Sequence, residues 1–220
     1  MTTTYLETPQ IKILIADDHP LFRQGLKHTF LETEDIRVTG EVENNDDLIT
    51  TIKNHPPDEY TLVLLDITMP GKSALDVLKQ LKLEYPKLPI LMLSVYSEDQ
   101  YAVRFIKAGA SGYLTKESAP DLLVEAVRKV ARGGKFASPR ITEKLAFDFG
   151  DSNKPLHESL SDREYQVFSM IADGMSLTEI GVQLSLSVKT ISTHRTRILE
   201  KMKMKKNTEL IHYAINNNLL

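Results

Sequence analysis

Acidic side chains follow two apolar segments in the first half of this 220-residue chain. Asp17 and Asp18 come directly after the apolar run Lys12–Ala16, and Asp66 comes directly after the run Leu62–Leu65. Carboxylates that lie close together repel one another unless a cation or shifted pKa values compensate. Because oxygen ligands without soft donors suit Mg²⁺, these three residues are candidates for a magnesium site.

Two further polar side chains end later segments of the same kind. Ser94 closes the apolar run Ile90–Leu93, and Lys116 follows the weaker strand candidate Gly112–Leu114. A hydroxyl and an ammonium beside three carboxylates and a divalent cation form a site for a phosphoryl group. A carboxylate is also nucleophilic at neutral pH, so it can form an acyl phosphate.

The first 133 residues alternate between apolar runs and segments of helical periodicity. Continuous apolar strands separated by helices indicate a parallel sheet covered on both faces. Five such units, with Ile36–Val42 as the second strand, predict an open, doubly wound α/β domain over residues 10–133. In the strand order 2-1-3-4-5, the first and third strands are neighbours at the carboxyl-end crevice where ligands bind. The predicted helices are Pro20–Glu32, Asn45–Asn54, Ser73–Glu84, Glu98–Ala108 and Ala119–Arg132.

Each of these polar residues also has a purely structural interpretation. The two aspartates before Pro20 could cap a helix, because Asp favours caps and Pro favours the first turn. Asp66 could be a turn residue, Ser94 a cap for the next helix, and Lys116 a surface lysine. All of them fall at strand ends in the right order, which favours one joint site.

Composition limits the classes of protein to consider. Hydrophobic residues make up 41% and charged residues 26% of the chain, which excludes global disorder. The absence of cysteine excludes disulfide frameworks, thiolate catalysis and cysteine-based metal sites. The longest apolar run is far shorter than the ~20 residues that span a bilayer, and the N-terminus shows no secretory signal. We therefore expect a cytoplasmic protein without a membrane partner.

Charge is distributed unevenly along the chain. Residues 1–133 contain 15 Lys and Arg against 20 Asp and Glu, whereas residues 134–220 contain 12 against 10. The window 187–206 carries seven basic residues and one acid. A compact basic segment on an acidic protein can attract nucleic acid, although a solvated helix face is the plainer interpretation of charge alone.

The C-terminal part is rich in helix-start signals. Residues 134–157 are predicted to form a linker, with a short helix over Ile141–Phe149. Residues 158–220 contain two capping boxes, Ser161–Glu164 and Ser176–Glu179, and a Ser cap at Ser187. A short second helix and a tight turn before a basic third helix resemble a helix-turn-helix, within a small all-α domain of four helices.

The third helix of this domain has two distinct faces. Ile191, Ile198 and Met202 share the face that should pack inward. Polar residues on the opposite face have the size to approach base edges, and basic residues around it could bind phosphates. The base-edge candidates are Ser192, Thr193 and Thr196, and the phosphate candidates are Lys189, Arg195, Arg197, Lys201 and Lys203. The alternative is a protein-binding module with a basic surface.

Residues 10–133 resemble the receiver domain of bacterial two-component response regulators, which has a flavodoxin-like fold. The matched stretches are Ile15–Pro20, Leu65–Gly71, Leu93-Ser94 and Gly112–Lys116. The resemblance implies that Asp66 accepts a phosphoryl group from a sensor histidine kinase. It implies a Mg²⁺ ion on Asp17, Asp18, Asp66 and the backbone carbonyl of Thr68. It also implies that Lys116 pairs with the phosphoryl oxygens and that Ser94 and Tyr113 form the switch.

The C-terminal part resembles the LuxR-type helix-turn-helix. The matched stretches are Leu160–Glu164, Ile171–Gly174, Glu179-Ile180 and Thr190–Met202. With the receiver, the whole chain is similar to NarL/FixJ-type response regulators. This implies a transcription regulator that binds two-fold-related sites on double-stranded DNA as a homodimer when phosphorylated, with phosphorylation either relieving inhibition by the receiver or driving dimerisation. In this pattern His194 is a packing or phosphate-contacting residue.

Two other functions compete with a DNA-binding regulator. A magnesium-dependent phosphatase could use Asp66 as nucleophile, but the haloacid-dehalogenase type needs an acid two residues later, where this chain has Thr68. A receiver that no longer accepts phosphate could serve for dimerisation only, which the complete set of acids and Lys116 disfavours. We therefore expect a protein that is not an enzyme.

Overall fold

The computed structural model describes residues 10–55, 59–96, 98–147, 155–217 and 219. A five-stranded parallel sheet with helices on both faces is followed by a bundle of short helices. The predicted fold class is confirmed for both parts. Within the described residues, no helix is long and apolar enough to cross a bilayer.

The sheet has the strand order β2-β1-β3-β4-β5. Every residue of β3 and β4 is buried, as expected for central strands covered by helices on both faces. Asp66 pairs with Leu93 in the register of β3 and β4, and Ser94 pairs with Thr115 in that of β4 and β5. The strand order reverses between β1 and β3. The strands are β1 Ile11–Ala16, β2 Ile36–Val42, β3 Leu62–Asp66, β4 Ile90–Ser94 and β5 Gly112–Thr115.

Five helices cover the sheet and start where the sequence predicts. Ser73 caps α3 by accepting the backbone N–H of Asp76, and proline stands in the first turn of α1 and α5. The predicted helix ends are correct to within one residue. On α5, Leu122 is 39% exposed, whereas four apolar residues are buried: Leu123, Ala126, Val127 and Val130. The helices are α1 Pro20–Leu31, α2 Asn45–Asn54, α3 Ala74–Glu84, α4 Glu98–Lys107 and α5 Pro120–Ala131.

The predicted linker contains a helix, α6, at Pro139–Phe147. It starts two residues before the predicted start at Ile141, and the predicted end at Phe149 lies outside the described residues. The Ser138 hydroxyl donates to the Glu98 carboxylate on α4, and Ile141 is buried. The first part of the linker is therefore packed against the sheet domain.

The C-terminal helices form both predicted capping boxes. Ser161 and Glu164 exchange hydrogen bonds at the start of α7, and Ser176 and Glu179 do so at the start of α8. Gly174, with φ of +86°, lies between these helices in a conformation that favours glycine. The helices are α7 Asp162–Ala172, α8 Leu177–Gln183, α9 Val188–Lys201 and α10 Asn207–Asn216.

The helical domain packs on the sheet domain through α7 and α4. The Arg104 guanidinium lies 4.4 Å from the centroid of the Tyr165 ring and donates to the Leu160 carbonyl over 2.6 Å. The Tyr101 ring meets Tyr165 edge-on, with centroids 5.2 Å apart. Lys79 Nζ on α3 lies 2.7 Å from an Asp162 carboxylate oxygen. We call these residues the domain contact.

Candidate phosphoacceptor site and nucleic-acid interface

The acidic residues predicted to converge do lie together. One ligand atom from each of Asp17, Asp18, His19 and Asp66 falls within a group no wider than 4.8 Å. Asp66 ends β3, and the other three follow the neighbouring strand β1, so the switch point of the sheet brings them together. Asp17 and Asp66 are fully buried, whereas Asp18 is half-buried.

Lys116 supplies the positive charge of this pocket. Its ammonium nitrogen lies 2.6 Å from Asp17 Oδ2 and 2.8 Å from Asp66 Oδ2. The Lys116 backbone N–H donates to the Ser94 carbonyl over 2.6 Å, which fixes the start of the loop after β5. Its side chain passes over the Phe22 ring, 4.7 Å from the centroid. Lys116 is therefore a buried ion-pair partner rather than a surface lysine.

Some neighbours of Asp66 raise its pKa and others lower it. Burial raises its pKa above the usual range, the Lys116 ammonium opposes that rise, and the nearby Asp17 carboxylate adds to it. The backbone N–H of Thr68 donates to Asp66 Oδ1 over 3.1 Å, and the Thr68 hydroxyl contacts both carboxylate oxygens. The carboxyl that would act as nucleophile is thus held in a fixed orientation.

The residues of the pocket suit a hard divalent cation. Asp17 Oδ2 and Asp18 Oδ1 are buried. The Lys116 ammonium and His19 Nδ1 lie near them without the alignment of a hydrogen bond, so each oxygen keeps acceptor capacity. Buried carboxylate oxygens with spare acceptor capacity are the donors that Mg²⁺ prefers. His19 also turns Nδ1 toward this group, 2.9 Å from Asp18 Oδ1. The sequence interpretation missed His19, although its position directly after two aspartates could have indicated it.

The capping alternatives for the acidic residues are not what the structure shows. His19 is the N-cap of α1, and no side chain makes a cap hydrogen bond there. Asp17 Oδ1 accepts the His19 N–H over 2.8 Å, which orients the aspartate within the loop. Ser94 Oγ accepts the N–H of Tyr96 over 3.0 Å, so it binds the loop after β4 and does not cap α4, which starts at Glu98. Ser97, which directly precedes α4 in the sequence and is the other candidate for its cap, lies outside the described residues.

The two predicted switch residues lie on the neighbouring strands β4 and β5, two register positions apart. Ser94 and Tyr113 are both buried, with Tyr113 only 1% exposed. The Tyr113 hydroxyl donates to the Tyr96 carbonyl over 3.1 Å. Burial, opposed by a hydrogen bond with Ser94, raises the Tyr113 pKa well above its usual range, so the phenol stays protonated. Tyr113 therefore points inward in this structure.

The faces of α9 agree with the sequence prediction. Ile191, Ile198 and Met202 are buried, and Leu199 borders them at 8% exposure. Of the predicted base-edge residues, Thr193 and Thr196 are exposed and Ser192 is half-buried. Of the predicted phosphate ligands, all but one are exposed; the exposed ones are Lys189, Arg197, Lys201 and Lys203.

Two of the predicted DNA-contacting side chains are paired with side chains of other helices. Lys201 Nζ donates to Glu164 over 2.6 Å, which joins the end of α9 to the capping box of α7. Arg195 Nε donates to Asn207 over 2.6 Å at the start of α10. Sequence reasoning missed both contacts, because nothing local pairs residues on different helices. Their assignment to DNA stays a prediction, beside a structural role.

Comparison with known proteins matches both parts of the chain. Residues 13–128 match the response regulator receiver domain, and residues 158–214 match the luxR family of bacterial regulatory proteins. The chain is 32% identical over 226 residues to the transcriptional regulatory protein DegU of Brevibacillus brevis, covering 94% of each. It is 33% identical over 213 residues to the response regulator GacA of Pseudomonas aeruginosa, covering 96% of this chain and 98% of GacA.

A solved structure has the same fold over nearly the whole length. RcsB from Salmonella enterica serovar Typhimurium, bound to a promoter in the presence of phosphomimetic BeF3−, is 26% identical with a TM-score of 0.63. The match covers 93% of this chain and 98% of RcsB. The two family matches together span well over half of the chain, in the order that the structure shows. The chain therefore belongs to the NarL/FixJ-type two-component response regulators, which join a receiver domain to a LuxR-type DNA-binding domain.

Proposed function

We propose that Asp66 accepts a phosphoryl group from the phosphohistidine of a sensor kinase and thereby controls DNA binding by the C-terminal domain. The observation that carries this proposal is the buried ion cluster of Asp17, Asp66 and Lys116, with separations of 2.6 and 2.8 Å. A nucleophilic carboxylate, an ammonium and spare carboxylate oxygens in one pocket are the parts that phosphoryl transfer to Asp needs.

The pocket residues divide the work of this transfer. Asp17, Asp18, Asp66 and the backbone carbonyl of Thr68 would hold Mg²⁺, which when bound neutralises charge that develops on the phosphoryl oxygens. Asp66 attacks phosphorus through one carboxylate oxygen, and the histidine nitrogen of the donor leaves. Lys116 contacts the phosphoryl oxygens, which requires its ammonium to move from Asp66 Oδ2 to the new group. The Thr68 N–H keeps the second Asp66 oxygen oriented.

The product adds close to two negative charges at the carboxyl end of β3. Ser94 ends the neighbouring strand β4, so its hydroxyl is placed to turn toward the new phosphate. That rotation removes the acceptor that Ser94 offers to the Tyr96 N–H. Tyr113 already points inward and donates to the Tyr96 carbonyl, so a movement of Tyr96 changes this hydrogen bond as well. The loop between β4 and α4 is therefore the first element to respond.

The C-terminal domain is proposed to bind promoter DNA as part of a homodimer on two-fold-related sites. The exposed polar face of α9 and the basic residues around it support major-groove binding. RcsB, which shares the fold, was solved on promoter DNA. A promoter-binding regulator of this kind acts in the cytoplasm, where DNA and the kinase phosphodonor are accessible.

The phosphoacceptor assignment is tested by labelling with a small-molecule phosphodonor. The wild-type protein should take up one phosphoryl group per chain in the presence of Mg²⁺ and none with a chelator. Asp66→Asn should abolish uptake, because an amide cannot act as the nucleophile. The Asp76→Asn variant, which changes an acid at the start of α3 instead, serves as the control. Full labelling of Asp66→Asn would contradict the assignment.

The same experiment separates the regulator from a phosphatase. A phosphatase would release phosphate over many turnovers, and it would need a general acid near the nucleophile. The residue two positions after Asp66 is Thr68, whose hydroxyl already contacts Asp66. We therefore propose a regulator that is not an enzyme, and expect stoichiometric labelling without sustained turnover of a phosphate ester.

A further inference from the structure

Arg23 on α1 is a buried cation that no step above uses. Its side chain is only 10% exposed, and arginine is almost never buried without partners. Its Nη1 group donates to the backbone carbonyl of Asp17 over 2.6 Å. Its Nε group donates to Glu41 over 3.3 Å, and Nη2 donates to the Glu43 carboxylate. The guanidinium therefore joins α1 to the loop after β1 and to the end of β2.

These contacts fix the backbone on both sides of Asp17. The Asp17 N–H donates to the Val42 carbonyl at the end of β2 over 3.1 Å. The Asp17 carbonyl accepts from Arg23, and Asp17 Oδ1 accepts from the His19 N–H. Because the Asp17 carbonyl belongs to the peptide that leads into Asp18, one hydrogen bond from Arg23 orients the backbone of both acidic residues.

The charge of Arg23 is balanced away from the pocket. Glu41 and Glu43 both contact its guanidinium, and Lys27 Nζ adds a second cation 2.8 Å from Glu41. Arg23 thus orients a carbonyl and does not neutralise the pocket acids. A planar guanidinium can serve one carbonyl and two carboxylates at fixed angles, whereas a lysine ammonium is a point charge on a flexible stem.

We propose that Arg23 is a positioning residue for the divalent-cation site, because it fixes the peptide between Asp17 and Asp18 so that both carboxylates face the pocket. The proposal rests on the proposed function of this pocket. Outer-shell partners of metal ligands contribute roughly 10–100-fold in metal affinity, and a contact to the backbone should lie near the low end. Arg23→Gln should therefore raise the Mg²⁺ concentration at half-saturation about tenfold.

The test measures Mg²⁺ affinity separately from the chemistry. The full-length wild type, Arg23→Gln and Arg23→Lys are titrated with MgCl2 by calorimetry, without a phosphodonor. Their labelling rate with a small-molecule phosphodonor is then measured as a function of Mg²⁺ concentration. Both half-saturation values should rise about tenfold in Arg23→Gln and less in Arg23→Lys. The rate at saturating Mg²⁺ should stay within about twofold of wild type, because the nucleophile is unchanged.

Lys27→Gln is the matched control. Lys27 lies one helical turn after Arg23 and contacts the same Glu41, but it makes no contact with the Asp17 carbonyl. The substitution removes the same charge from the same network, so its half-saturation value should remain that of the wild type. An equal shift in this control would show that charge, and not the orientation of the carbonyl, sets the affinity, and would overturn the proposal.

Other outcomes would also overturn it. Unchanged half-saturation in Arg23→Gln, or a lower maximal rate with unchanged half-saturation, would show that Arg23 does not position the cation site. Failure of both Arg23 variants to fold, judged by circular dichroism and thermal unfolding, would assign the residue a purely structural role. If the wild type itself neither binds Mg²⁺ nor takes up phosphate, the proposed function of the pocket fails as well.

Discussion

At the residue scale, burial and pairing give similar side chains different properties. Asp66 has a raised pKa because it is buried, and the Lys116 ammonium at 2.8 Å limits that rise. Asp35, on the surface of the same domain, has a lowered pKa because the Arg128 guanidinium donates two hydrogen bonds to it. The pKa values of these two aspartates therefore shift in opposite directions. Only the buried Asp66 combines burial with a specific charged partner, as reactive carboxylates do.

Individual residues of α9 are also predicted to differ in role, since some contact base edges and others contact only phosphates. Thr193 is exposed in the middle of the predicted base-contacting face, whereas Lys189 is exposed near the helix start. Thr193→Ala should change the preferred sequence and cost about 1 kcal/mol on the preferred site. Lys189→Ala should weaken binding to all sequences and lower the slope of log affinity against log salt by about 0.9. Binding titrations on specific and random duplexes at several salt concentrations separate the two; identical behaviour would refute the assignment of this face.

At the scale of elements, local signals predicted most of the fold. Runs of Val, Leu and Ile predicted the strands. Ser73, Ser161 and Ser176 predicted three helix starts, because a cap depends on residues within one helical turn. The pairing of Lys201 with Glu164 was not predictable, since it joins residues 37 positions apart. The hydrogen bond from Arg23 to the Asp17 carbonyl was also not predictable, because every residue has a backbone carbonyl and the sequence does not show which one accepts.

Glu164 joins two elements and gives a prediction about stability. Burial would raise its pKa, but hydrogen bonds from Lys201 and Ser161 outweigh burial and lower it below 4.5. A depressed pKa means that the stabilisation is complete above the unfolded-state value and is lost as pH falls through the folded-state value. Glu164→Gln should therefore lower the free energy of unfolding of the helical domain by about 1–3 kcal/mol at pH 7.

Urea unfolding followed by circular dichroism checks this expectation at pH 7 and at a pH below the lowered pKa. The difference between wild type and Glu164→Gln should shrink at the acidic pH. Glu179→Gln is the matched control, because Glu179 occupies the same place in the second capping box and, within the part of the chain that the structure describes, its pKa is lowered by hydrogen bonds from Ser176 alone. A pH dependence no larger than that of the Glu179→Gln control would show that the Lys201 ion pair contributes nothing.

At the scale of the whole molecule, the domain contact leaves the predicted base-contacting face of α9 exposed to solvent. Thr193, Thr196 and Arg197 are exposed even though α7 is packed on α4. Masking of these side chains by the described part of the receiver is therefore not how this arrangement restrains DNA binding. We predict instead that the contact fixes the orientation of each DNA-binding domain and thereby limits how two of these domains can meet two half-sites.

The domain contact is also connected to the phosphoacceptor pocket. The Tyr113 hydroxyl donates to the Tyr96 carbonyl, and the Tyr96 ring lies 5.0 Å from that of Tyr101. Tyr101 in turn meets Tyr165 on α7. A shift of the loop after β4 would reach the DNA-binding domain through these two aromatic contacts, and we predict that phosphorylation loosens the domain contact. Linkage then requires that loosening the contact favours the phosphorylated state by the same free energy.

Arg104→Ala tests this coupling, because it removes the cation over Tyr165 and the hydrogen bond to Leu160. These interactions are worth about 1–3 kcal/mol, so the affinity of the unphosphorylated protein for a two-site duplex should rise between about fivefold and 150-fold. The distance distribution between spin labels on the two domains should broaden. Arg128→Ala removes the ion pair between Arg128 on α5 and Asp35 but no residue of the domain contact, so it should change neither the affinity nor the distance distribution. An unchanged distance distribution in Arg104→Ala would show that this arginine does not hold the domains together, and an unchanged affinity with a broadened distribution would show that domain orientation does not limit DNA binding.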